Sequence, residues 1–245
     1  MDGRSRQAGK ELKALGAMAF NESQMHWRDV PIHVIDFEGS RRSGILEYGV
    51  AALENGTVTF TETRLCRPLG KVDEHDIAIH RIRPEMADRY PPFSEEWELF
   101  SGLRQKGPLA AHFAGTENHL IKSVWPYPPA SPNFVWPGEQ LADWGPWLDT
   151  GRLYERVFPE TESANLESLI VAFGYQEELD QLAAEHCPAD RCLYHAALYD
   201  ALAAALLLIK LLENPEFEAV TIGWLLEKSC GSDVARQRLS QRELF

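Results

Sequence analysis

Cysteine is scarce in this chain. Four stand among 245 residues, Cys66, Cys187, Cys192 and Cys230. That is too few and too scattered for a disulfide scaffold, so a reducing compartment, the cytoplasm, is expected. Long hydrophobic runs are also missing. The longest, ALAAALLLI at 201–209, stops at Lys210, far short of the roughly 20 residues that span a bilayer. The early stretch ALGAMAF follows Asp2 and Glu11 with no convincing cleavage site behind it, so no secretory signal is expected. Positive charge is the third shortage: 24 Lys and Arg face 37 Asp and Glu, a net charge of −13. This argues against a broad basic surface that coats duplex nucleic acid. It leaves room for a local grip on a single strand, and acids gathered in a cation site would make the formal sum misleading about that surface.

What is present begins with PIHVIDFEGS at 31–40. In a strand the side chains alternate, so Ile32, Val34, Asp36 and Glu38 share one face while His33, Ile35 and Phe37 share the other. Two largely apolar faces suit a central strand covered on both sides, with an acid pair emerging at its C-terminal end. Two β-rich runs, SGILEYGVAAL and TVTFTETRL, meet at Asn55-Gly56 and predict a hairpin. Helices are predicted from Ser94 to Gly107, from about Thr116 to Val124, over SANLESLIVAFGY ending at Gly174, and over the nearly all-apolar YHAALYDALAAALLLIKLLE. PLAAHF reads as a short buried strand, and WLDTGRLY as a strand running into a helix. Residues 125–147 are rich in Pro and Trp and read as a semi-rigid loop, with a protein partner or a second copy of the chain as its alternative use. The organisation expected is an extension at 1–28 with a helix near 8–20, a core domain at 29–213, and a charged appendix at 214–245.

Other acids stand at the ends of predicted elements. Glu117 opens a helix just after LAAHF, and His195 and Asp200 bracket the start of the last helix. Five residues turn a helical side chain by about 140°, so His195 is expected on the preceding loop, leaning over the site, and Asp200 on the helix. Such a set of acids is a candidate divalent-metal site. His112 reads as a core or supporting histidine and Asp149 as structural. The spacing in HCPADRCLYH also permits a zinc cluster of His186, Cys187, Cys192 and His195.

The segments VIDFEGS with ILEYGVAAL, AAHFAGTENHLI, and HAALYDALAAALLLIKLL together resemble the three exonuclease motifs of the DEDDh, or DnaQ-like, 3′-to-5′ exonucleases. IAIHRIRPEM and LDTGRLY followed by NLESL resemble that family's intervening segments, so the resemblance covers about 31–212. It implies an α/β fold of the ribonuclease-H-like type, a mixed five-stranded sheet with its first three strands antiparallel and helices on both faces. It also implies a phosphodiester hydrolase that trims single-stranded DNA, or RNA, from the 3′ end to nucleoside monophosphates. Asp36, Glu38, Glu117 and Asp200 would hold two divalent cations, Mg²⁺ or Mn²⁺, with His195 as general base. The backbone near Phe37, Gly39 and Ser40 and the side chain of His80 would contact the terminal nucleotide. Two positions depart from the pattern: Glu117 stands where the family presents Asp, and Gly39-Ser40 where it often has threonine. A catalytically silent nucleic-acid-binding or scaffolding relative and a phosphodiesterase restricted to very short oligonucleotides are the alternatives.

Overall fold

Ile32–Ser40 forms β1, and its two apolar faces suit its place at the centre of a sheet. The computed structural model describes residues 25–230; the helix expected near 8–20 and the end of the charged tail lie outside the described residues. β2 (Gly44–Glu54) pairs antiparallel with β1, and β3 (Thr57–Leu65) antiparallel with β2. The β2–β3 turn is Asn55-Gly56, with φ of 51° and 81°. Two left-handed residues are what a two-residue hairpin turn of primed type requires, and Asn-Gly supplies them at little cost.

After β3 come α1 (Glu74–His80), the short α2 (Pro84–Ala87), α3 (Trp97–Lys106), β4 (Leu109–Ala111) and α4 (Gly115–Val124). A two-stranded pair, β5 (Ser131–Pro132) and β6 (Gln140–Leu141), lies within the Pro/Trp segment, and β7 (Leu148–Asp149) runs directly into α5 (Thr150–Val157). The chain continues through α6 (Leu166–Phe173), α7 (Gln176–His186), α8 (Ala197–Glu213) and α9 (Ile222–Ser229). β4 joins β1 in parallel and β7 joins β4 in parallel, so the main sheet has the order β3-β2-β1-β4-β7. This is the mixed five-stranded sheet expected, with its first three strands antiparallel.

The two faces of β1 divide the core. Ile32 and Val34 pack with α8, whose residues from Ala197 to Ile209 are all buried. A helix apolar all round is stable only where neighbours cover every side. Ile35 and Phe37 point the other way, into Phe93, Phe100 and Trp144. The Pro/Trp loop belongs to this second layer. Trp144 is fully buried against Trp97 and Trp125, and Arg104, itself buried, donates to the carbonyls of Pro132, Asp143 and Gly145. Its tryptophans therefore fill the core more than they offer a docking face; Tyr127 is the large apolar side chain it exposes.

The expected domain limits are narrower than the packing. Trp27, assigned to the extension, is buried in the α8 layer, and His26 bridges Thr221 as an isolated β-pair. Phe217, Val220, Ile222, Leu225 and Leu226, assigned to the appendix, are buried in the same layer. Helices α1 and α7 depart from the sequence expectation: α1 buries Ile77 and His80 and α7 buries Leu179 and Ala183, too few apolar positions to mark a helical period.

Candidate active site

Asp36 and Glu38 continue the face of Ile32 and Val34, at the end of β1 where the core gives way to solvent. A β-bulge falls between Glu38 and Gly39. Gly39 has φ of 133°, and a Cβ there would lie 2.3 Å from the carbonyl oxygen of Gly44, so only glycine lets the strand end turn as it does.

The first turn of α8 brings Asp200 over this strand end. Gly49, the cross-strand partner of Asp36, makes the approach possible. A Cβ on Gly49 would meet the carbonyl carbon and oxygen of Ala197 and the nitrogen of Leu198, each at 2.3 Å. Asp200 Oδ2 accepts the backbone N–H of His195 at 3.0 Å. His195 stands outside the helix, exposed, with φ of 64°. One ligand atom each from Glu38, His195 and Asp200 lies within 4.8 Å of the others, and this is the one such His, Cys, Asp and Glu group among the described residues. Glu117 arrives from the first turn of α4, buried.

Crowded carboxylates are held in their protonated range. Burial, then the charges of Asp200 and Glu47, push the Glu38 carboxyl up to about 8. Asp36 is raised well above its ordinary value by burial and by Asp200, Glu38 and Glu117. Glu117 is pushed to about 8, chiefly by burial and, of its charged neighbours, by Asp149. Asp200 is pushed to about 7 by burial, against the opposing hydrogen bond from His195. Glu117 Oε2 and Asp200 Oδ1 are buried without a hydrogen-bond partner. Hard oxygen donors, mutual repulsion and two orphaned carboxylate oxygens are the features a divalent cation satisfies, so these residues fit such an ion.

Phe37 turns its ring into the opposite layer, against Phe93 and Phe100, which leaves its backbone alone at the site. Ser40 Oγ is engaged with Ser43 Oγ at 3.0 Å. His80 is buried at the end of α1, its Nδ1 accepting from the N–H of Ile82 while Nε2 has no partner; burial lowers its pKa. His112 bonds Thr150 Oγ1 and the carbonyl of Ala164, and burial lowers it to about 4. Asp149 caps α5 and accepts the N–H of Phe113. The zinc spacing does not close: His195 joins the acids, while His186 Nδ1 faces Thr61 Oγ1 and the thiol of Cys192 faces backbone carbonyls. Three residues escaped the sequence reading: Gly49, Glu47 and Arg191. The first two had a signal in ILEYGV, a glycine and a glutamate inside an apolar strand.

The architecture has close structural counterparts. Exonuclease X in complex with 5′ overhanging duplex DNA superposes with a TM-score of 0.58 at 20% identity, over 81% of this chain and 99% of that one. The chain shares the fold of that nuclease. A 3′-exonuclease that recognises the 3′ end of the histone mRNA stem-loop matches with a TM-score of 0.54 at 14% identity, over 87% of this chain and 73% of that one. Exonuclease I from Methylocaldum szegediense matches with a TM-score of 0.54 at 17% identity, over 77% of this chain and 42% of that one. E. coli Exonuclease I with single-stranded DNA, in a zinc-bound form, matches at 0.51 and 14%, over 80% of this chain and 42% of that one. No family model matches the chain, and no curated protein matches it in sequence.

Proposed function

We propose that the protein is a metal-dependent 3′-to-5′ exonuclease that hydrolyses single-stranded nucleic acid, DNA in preference to RNA, to nucleoside monophosphates. The observation that carries this reading is the convergence of Asp36, Glu38, Glu117 and Asp200, two of them with orphaned oxygens, beside an exposed histidine. These four carboxylates would hold two divalent cations, Mg²⁺ or Mn²⁺. When bound, such ions supply a water acidified enough to attack phosphorus and a counter-charge for the departing 3′ oxygen.

The chain's own residues do the rest. His195, exposed and anchored through its N–H to Asp200, accepts the proton of the attacking water at a ring nitrogen, a role worth roughly 10² to 10⁴ in rate. Gly39 and Ser40, at the bulge, present backbone to the terminal nucleotide. His80, whose charge environment includes His195, borders the same end of the site. The DNA preference leans on Exonuclease X, matched over 99% of its own length and solved with DNA. Free thiols at Cys66, Cys187 and Cys192 suit a reducing, cytoplasmic location, and no helix among the described residues is long and apolar enough to cross a membrane.

The test is a 5′-labelled single strand, DNA and RNA in parallel, with and without Mn²⁺. The label should persist on a descending ladder, a 3′-phosphate should delay its start, and His195→Ala should slow it. Release of the label as a mononucleotide in the first turnover would show attack from the 5′ end and overturn the reading. Binding that needs neither metal nor the acids, without cleavage, would favour a silent relative.

A further inference from the structure

Glu47 and Arg191 form an ion pair inside the fold. Their side chains are 4% and 7% exposed. Glu47 lies directly across from Glu38 in the β1–β2 register, which would suggest a fifth metal ligand. Its oxygens are already committed. Oε1 accepts Arg191 Nε at 3.0 Å, and Oε2 accepts Arg191 Nη2 at 2.5 Å and the N–H of Ala197 at 3.0 Å. The last bond caps α8, whose N-cap residue, Ala196, has no side chain able to do so.

Arg191 spends its other donors on backbone. Nη1 donates to the carbonyl of His80 at 2.9 Å and Nη2 to the carbonyl of His195 at 3.1 Å. One guanidinium thus ties β2, the end of α1 and the loop before α8 together. At its far side that loop holds His195 in the left-handed region, at φ of 64°, which a residue with a side chain adopts only when its surroundings impose it. The peptide groups of His195 are gripped on both flanks: N–H by Asp200, C=O by Arg191.

We propose that the Glu47–Arg191 pair is a positioning device that sets the His195 backbone, and with it the imidazole, over Glu38 and Asp200. A well-packed apolar pair often stabilises a core as well as a buried ion pair does. It cannot present several rigid donors to carbonyls from separate elements, which is what the planar guanidinium does here. Arg191 and Glu47 touch no reacting atom in this scheme; they act through His195. The inference rests on the exonuclease reading for its catalytic consequence, and on the geometry alone for its effect on the ring.

Two variants test it: Arg191→Lys, which keeps the charge but not the fork, and the double variant Glu47→Gln/Arg191→Met, which leaves no unpaired buried charge. The control is Ile222→Val, a core trim in α9. Histidine rings are followed by NMR in metal-free protein, the His195 signal being the one lost in His195→Ala. We expect that signal to move toward the free-histidine position in whichever clamp variant folds, and to stay in place in the control. In the nuclease assay kcat should fall by about 10²-fold, the scale of a 1 Å misplacement, with KM little changed. Added to His195→Ala, the clamp substitutions should cause no further fall, because both changes act on one group. An unmoved His195 signal in a folded clamp variant, or a loss of kcat that adds to that of His195→Ala, overturns the proposal. Should the wild type cleave nothing, the ring signal still decides the clamp while the exonuclease reading fails alone.

Discussion

Gly49→Ala adds one methyl group at the centre of β2 and should disable the site without unfolding the protein. The new Cβ would start 2.3 Å from three backbone atoms of the first turn of α8, where ordinary contact begins at 3.4 Å. Backbone atoms cannot rotate aside as a side chain does, so strand and helix must part by about 1 Å, and overpacking of this kind costs roughly 1–3 kcal/mol. That is a fraction of the about 5–15 kcal/mol of a typical domain, so the variant should still melt cooperatively. Asp200 rides on the displaced turn, and Asp36 sits opposite Gly49 on the neighbouring strand. Their separation therefore absorbs the shift, and a misplacement near 1 Å costs on the order of 10² in rate. The assay is initial rate on the 5′-labelled strand in Mg²⁺ and in Mn²⁺, with a thermal melt of the same sample. Undiminished activity in a folded Gly49→Ala protein would refute the claim that close helix-to-strand approach assembles the acids.

Asp36→Ala should abolish hydrolysis yet leave the metal-free protein as stable as wild type or more so, because Asp36 is raised well above its ordinary value by burial and by the charges of Asp200, Glu38 and Glu117; a large fall in melting temperature would assign Asp36 a structural role. In the folded chain Glu38 and Glu117 titrate near 8 and Asp200 near 7, against ordinary values of 4.5 and 3.8. The folded state thus keeps protons that the unfolded chain has released. The stabilisation from these groups is whole below the ordinary values and is lost as pH rises toward about 8. The melting temperature of metal-free protein should fall across that window and Mn²⁺ should restore more of it at the alkaline end; a flat profile would count against the cluster. Glu117→Asp should lower activity, since a helix start already set for the longer arm leaves aspartate short by about the 1.5 Å of one C–C bond; a faster Glu117→Asp enzyme would show that the backbone has not adjusted.

Much of this architecture was legible along the chain because local rules write it there. The alternation in IHVIDFE, the Asn55-Gly56 turn and the apolar run of α8 each name their element from neighbours a few residues away. The acids at the strand end and the helix starts could be picked out for the same reason, since a carboxylate beside an apolar run carries a desolvation cost that asks for an explanation. Packing of the Pro/Trp loop could not be read, because proline-rich composition looks alike whether its tryptophans face water or, like Trp144, pack against Trp97 and Trp125. Nor could the limits of the core: Trp27 and Leu226 lie some 200 positions apart yet fill one layer.

Which residues carry charge, which runs bury, and where the strand ends and helix starts that bear the acids fall can all be read along the chain. That these ends meet, that His195 leaves the helix in a left-handed turn to join Glu38 and Asp200 rather than a zinc set, and that Glu47 is held by Arg191, 144 residues away, instead of joining the candidate ligands, follows from packing in three dimensions. Hydrophobic periodicity depends on spacings of two to four residues and is printed in the chain, whereas electrostatic partnership depends on distance in space, which exists only once the sheet and α8 have packed.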